Sequence, residues 1–209
     1  MIITEANKKL FLVTGKPGSG KSTTSALAAK QIGNVYHFSI GEELRARAID
    51  GKTSRYSGQI KLHADALKLH LPIPADMTAK IFEECIADSP YDTIIVDGYP
   101  QYIDRLPGFE TNVAAASARV LAICRINIDD SVAASRLRSR GQRSEDVVET
   151  NNFIANRLKN YYTNVIPTIE TLSQSYLVET IDGNRLPLEV ATDLAAIVKR
   201  YTQAATISL

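Results

Sequence analysis

A chain of 209 residues with a formal charge of +1 at pH 7 has room for one α/β core with insertions, and no global charge that calls for a nucleic-acid or membrane-surface partner. Its 44% hydrophobic and 22% charged residues are ordinary globular fractions, and no apolar run approaches the roughly 20 residues that span a bilayer. The two cysteines, Cys85 and Cys124, lie in apolar stretches without CxxC spacing, which argues against a zinc or redox pair and predicts buried free thiols. The first ten residues, MIITEANKKL, lack a leader pattern, so a reducing cytoplasmic setting is expected.

In chain order, apolar β-branched runs predict strands at Leu10–Val13, Val35–Phe38, Thr93–Asp97, Val120–Ile126 and Tyr176–Ile181. Helical periodicity predicts helices at Lys21–Gln31, Gly41–Ile49, Gln59–Leu69, Ala75–Ala87, Asp130–Ser139, a long stretch from about Ser144 to Ser173, and Glu189–Tyr201. Asp129-Asp130-Ser131 supplies an N-terminal cap, and Pro167 starts a new helix or bends the long one. Near-continuous apolar strands alternating with helices point to a parallel sheet covered on both faces. No repeat or Gly/Ser-rich linker interrupts the chain, so the expected layout is a single unit.

Between the first strand and the first helix stands Gly15-Lys16-Pro17-Gly18-Ser19-Gly20-Lys21-Ser22, which fits GxxxxGK[ST]. Glycines there let successive backbone N–H groups turn inward around an anion, and the helix adds the positive end of its dipole. The motif predicts ATP on Gly15, Pro17, Gly18, Ser19, Gly20, Lys21, Ser22 and Thr23, with the side chains of Thr14 and Thr23 read as packing or capping. Lys21 is expected on the β- and γ-phosphates and Ser22 on Mg²⁺. Gly15, Ser39, Asp97 and Asp129 each follow a strand, so their loops converge on the carboxyl edge, where parallel α/β sheets bind ligands.

The run His37-Phe38-Ser39-Ile40-Gly41-Glu42-Glu43-Leu44-Arg45 resembles the H-x-S-T-G-D-x-L-R segment of the adenylate kinase family of nucleoside monophosphate kinases. Asp97-Gly98-Tyr99-Pro100-Gln101 is similar to that family's D-G-[FY]-P-R, and the likeness continues through Arg136–Arg140 to Arg157-Leu158 with Tyr161-Tyr162. It implies an α/β three-layer sandwich of the P-loop NTPase type with a five-stranded parallel sheet. The core would be 8–50, 75–139 and 150–209, with a monophosphate-binding insertion at about 51–74 and a short lid at about 140–149. The resemblance further implies transfer of the ATP γ-phosphate to AMP in a cytoplasmic monomer that uses ATP and Mg²⁺ and has neither nucleic acid nor membrane as partner. By the same likeness Ser39, Ile40, Gly41, Arg45, Ile73 and Gly98 line the acceptor, and Asp97 organises the magnesium water. Arg136 stacks on the ATP base and, with Lys21, Arg140 and Arg157, serves the transfer. Arg47 and Arg138 read as solvated.

Three departures bear on the acceptor. Ile40 stands where relatives have threonine, and Gln101 where they have the clamp arginine; Arg105, four residues on, holds the position of a base-reading glutamine. If the segment turns helically, Arg105 is a neighbour of Gln101 and restores the missing charge. The lid segment Gly141–Asp146 carries Arg143 and no cysteine, so closure there rests on an arginine-bearing loop. His63 and His70 lack metal-spaced partners and read as surface or packing residues. A kinase for CMP, UMP, a deoxynucleotide or another small acceptor stays open, as does a regulatory nucleotide-binding protein. Against the last stand Lys21, Arg45, Arg136, Arg140 and Arg157, because a cluster of cations suits transfer more than mere binding.

Overall fold

The computed structural model describes residues 8–68, 71, 73–141 and 151–207. Five parallel strands form one sheet in the order β2-β3-β1-β4-β5: β1 (Lys8–Gly15), β2 (Val35–Ser39), β3 (Thr93–Asp97), β4 (Ala118–Asn127) and β5 (Val178–Asp182). Each strand's alternation feeds two cores. Leu10, Leu12, Ile94, Val96 and Ile123 pack one face; Phe11, Val13, Ile95, Ala122, Cys124 and Ile126 pack the other. Because both faces are covered, the strands read as continuous apolar runs.

On the first face lie α2 (Ile40–Ala48), α5 (Ala75–Ala87) and α6 (Leu106–Ala115), which contribute Leu44, Phe82 and Phe109 to the core. Across the sheet, α1 (Lys21–Ile32) and α10 (Pro187–Ile207) contribute Ala28, Leu194 and Val198. Both cysteines are buried free thiols, and burial pushes each up to about 12. Among the described residues no helix is long and apolar enough to cross a membrane.

Helix α6 departs from the sequence expectation. Its Pro107 and Gly108 look like a breaker pair, but proline is tolerated in the first turn, where its N–H would be unpaired anyway. Phe109 and Val113, four apart, then bury one face. The helix expected over Gln59–Leu69 is instead two short ones, α3 (Ser57–Lys61) and α4 (Ala64–Lys68), which bury Ile60 and Leu67 while Leu62 is 83% exposed. Beyond α7 (Asp130–Gly141), the long helical stretch resolves into α8 (Asn151–Asn160), a π-helical segment (Tyr161–Val165) and α9 (Ile166–Leu172). The Ile166 N–H reaches back to the Tyr161 carbonyl, and Pro167, which has no N–H, follows at once. The helix therefore widens before the proline rather than stopping. Segment 142–150, which holds Arg143 and most of the expected lid, lies outside the described residues. So do Leu69, His70, Pro72 and the side chain of Arg140.

Candidate active site

Gly15 ends β1 opposite Ile126 of β4, and both Val13 of β1 and Ser39 of β2 pair with Asp97 of β3. The carboxyl edge thus sets the glycine-rich loop, Ser39 and Asp97 side by side. A Cβ at Gly15 would strike the Ile126 carbonyl, and one at Gly18 would sit 2.8 Å from the Ala133 carbonyl of α7. Both residues hold positive φ, at 150° and 81°, so the loop's close approach to β4 and α7 depends on glycine.

Within the loop, Ser19 N–H donates to the Lys16 carbonyl at 3.1 Å, and its hydroxyl is buried without a partner. Lys21 Nζ donates to the Gly15 carbonyl at 2.9 Å and the Lys16 carbonyl at 3.1 Å. Pro17 is half-buried, and Thr23 is exposed beyond Gly20, whose φ of 84° turns the chain into α1. Ser22 Oγ donates to Asp97 Oδ2, while Asp97 Oδ1, in a residue 2% exposed, has no partner. A buried carboxylate oxygen left open beside a hydroxyl is a donor set that fits a hydrated hard cation.

On the neighbouring edge, Ile40 opens α2, and the Arg45 guanidinium folds back to 3.5 Å from the Cβ position of Gly41. Gly98, at φ 81°, lets Gln101 Nε2 approach to 2.8 Å and Ile40 Cγ2 to 3.7 Å from where its Cβ would stand. Arg105 ends a short 3₁₀ turn (Ile103–Arg105) and is 8% exposed. Its Nη2 donates to the Ile73 carbonyl at 3.1 Å, its guanidinium carbon lies 4.6 Å from the centre of the Tyr102 ring, and its Nε has no partner. Burial lowers the Arg105 pKa, as expected for a desolvated cation.

Arg47 is not the solvated arginine that its sequence position suggested. It is 2% exposed, paired with Glu43, and its Nε lies 3.3 Å from Glu84 Oε2. Glu84 also accepts from Ser54 Oγ at 2.7 Å and the Arg55 N–H at 3.0 Å. Burial works against the Glu84 charge, but these hydrogen bonds and Arg47 outweigh it and hold its pKa below the ordinary range. The network ties the start of the 51–74 segment to α2 and α5.

Arg136 is half-buried on α7, and Arg138, exposed, donates to Asn151 Oδ1 at 3.2 Å. Arg157 of α8 lies over the Phe153 ring at 5.8 Å. Lys16 went unnoticed in the sequence because the phosphate-loop motif leaves its position open. Its side chain is 9% exposed; Nζ donates to the Ile128 carbonyl at 2.7 Å and lies 2.6 Å from Asp130 Oδ1. Asp130 starts α7 and, besides standing where a cap was expected, accepts from Tyr162 OH at 2.7 Å. Lys16, Asp130 and Tyr162 each stood in the sequence, but nothing there joined them.

The adenylate kinase family profile matches residues 13–176. The adenylate kinase of Helicobacter hepaticus is 30% identical over 195 residues, covering 92% of this chain and 98% of its own. Those of Nautilia profundicola and Campylobacter concisus are each 27% identical, over 196 and 194 residues, covering 92% of this chain and 97% and 98% of theirs.

Proposed function

Because this chain belongs to the adenylate kinase family, we propose that it transfers the γ-phosphate of ATP to AMP, ATP + AMP ⇌ 2 ADP, as a cytoplasmic monomer. The observation that carries the reading is Asp97-Gly98. Asp97 takes the Ser22 hydroxyl on the phosphate-loop side, and Gly98 opens the chain to Ile40 and Gln101 on the other. Adjacent strands are about 4.8 Å apart, so phosphates bound over β1 and β3 lie side by side.

In this reading an acceptor phosphate oxygen forms a bond to the γ-phosphorus as the bond to the β,γ-bridging oxygen breaks, and that oxygen leaves on ADP with the electron pair. No general base is needed, because the acceptor is already anionic. The protein's part is to place and neutralise charge. Loop N–H groups and the Ser19 hydroxyl bind the ATP phosphates, Lys21 exchanges its two carbonyl partners for phosphate oxygens, and Arg45 holds the acceptor phosphate. Arg136, Arg140 and Arg157 spread the developing charge and exclude water. Mg²⁺, held by the Ser22 hydroxyl and through water by Asp97, would neutralise the β- and γ-oxygens. Residues 51–74 serve as the acceptor flap and about 140–149 as the lid.

One observation favours a second acceptor. Arg105 presents an unpartnered, buried donor beside the Ile73 carbonyl, and a base with a carbonyl edge, as in UMP or GMP, would satisfy it. A coupled ADP-release assay across AMP, CMP, UMP, GMP and dTMP with Mg-ATP tests both. AMP is expected to be used best; a preference for UMP or GMP that Arg105→Gln reverses would establish the second reading. No turnover with any acceptor would refute the kinase.

A further inference from the structure

Lys16 buries its side chain in the wall of the phosphate loop, and each of its partners belongs to a different part of the site. Its ammonium donates to the Ile128 carbonyl in the β4–α7 turn and pairs with Asp130 at the head of α7. It also lies 5.4 Å from the centre of the Tyr162 ring, and Tyr162 OH closes the cluster on Asp130. Burial opposes the Lys16 charge, but the hydrogen bonds to Asp130 and Tyr162 outweigh it and raise its pKa; Asp130 is correspondingly lowered by Lys16 and Tyr162. The residue's own backbone carbonyl, meanwhile, receives Ser19 N–H and Lys21 Nζ. Side chain and carbonyl of one residue therefore fix both the loop and the lysine parked on it.

The three segments joined here carry the cations of the proposed transfer: Lys21 with the loop, Arg136 and Arg140 on α7, and Arg157 on α8, which runs into the π-helical segment holding Tyr162. Charge stabilisation in a transition state depends on donors held in place before the reaction, and π-helical turns recur where a helix must set a side chain off its regular path. We propose that Lys16, Asp130 and Tyr162 are positioning residues, a clamp that keeps the phosphate loop, α7 and α8 in register so that their cations converge on the transferred phosphoryl group. The inference rests on the phosphotransferase reading but concerns residues that need not touch either nucleotide.

Tyr162→Phe is the decisive variant, because it removes one hydroxyl from a partly exposed position without changing charge near the phosphates.

 Tyr162 is 46% exposed, so the fold tolerates the loss of that hydroxyl. Its kcat is expected to fall about tenfold, within the roughly hundredfold that an ångström of misplacement can cost, while the KM for the acceptor moves less than about twofold. A merely structural role would lower the melting temperature and leave kcat per folded enzyme unchanged. Lys16→Met, and the double variant Lys16→Met/Tyr162→Phe, complete a cycle in which the double variant is expected to lose no more than the worse single one. A Tyr162→Phe kcat within about twofold of the unsubstituted enzyme, or losses that multiply in the double variant, would overturn the clamp. Should the unsubstituted protein turn over no acceptor, the kinase reading fails by itself; the same cycle is then read in the calorimetric Kd for Mg-ATP, where non-additive losses support the clamp and additive ones refute it.

Discussion

The two halves of the carboxyl edge treat their cations differently. On the phosphate-loop side Lys16 is paired with Asp130, and Lys21 rests on two backbone carbonyls. On the proposed acceptor side Arg105 is equally buried but has one carbonyl, one aromatic face and an Nε with no partner. A satisfied buried charge holds structure, whereas one left short of acceptors is suited to a ligand that supplies them. Arg47 shows the first kind: its carboxylate partners Glu43 and Glu84 make it a brace for α2 and α5.

The sharpest way to break that contrast is to remove the brace. Glu84→Ala takes from the buried Arg47 one of its two carboxylates, and from Ser54 and Arg55 their shared acceptor, and is expected to cost about 3–5 kcal/mol in chemical denaturation. Next comes Lys21→Met, for which a kcat loss of about 10²–10³-fold is expected in the coupled assay. Arg105→Gln is the mirror case. It should raise the KM of the preferred acceptor about tenfold, the size of one charge-assisted hydrogen bond, without lowering the melting temperature. A destabilised Arg105→Gln with unchanged KM would place Arg105 with the braces instead.

The smallest expected effect is in pH. The folded-state pKa of Glu84 is lowered by its hydrogen bonds and Arg47 despite burial, and that of Glu43 by Lys52 and Arg47. A depressed carboxylate contributes stability that is present above its unfolded value of about 4.3 and is lost as pH falls through the folded value. Denaturation midpoints should therefore be level from neutral pH to about 5 and fall below about 4, with a shallower fall in Glu84→Gln.

Much of this site was legible in the chain. The glycine pattern announced the phosphate loop because close backbone approach and positive φ are local demands that few other residues meet. Thr93–Asp97 and Ala75–Ala87 matched their expected bounds, since their apolar residues recur with the period of a buried strand and of an amphipathic helix. Less was legible where neighbours come from far along the chain. Arg45 and Arg47 look alike in sequence, yet only Arg47 meets Glu84, 37 residues away, and is buried by it. Gln101 and Arg105 share a segment, yet Arg105 turns to the Ile73 carbonyl while Gln101 lies against Gly98.

By itself the sequence determined the alternation of strands and helices, the glycine-rich loop and the sheet edge at which it stands, because each follows from local periodicity, turn chemistry and the single hand of parallel crossovers. Tertiary structure alone decided which charges became braces and which were left with open donors. Lys16 and Asp130 are 114 positions apart and Tyr162 lies 32 further on, so their meeting depends on the packing of β1, α7 and the π-helical segment around one sheet. Whether a buried charge is satisfied depends on what stands within about 3 Å of it, and no local pattern encodes that distance.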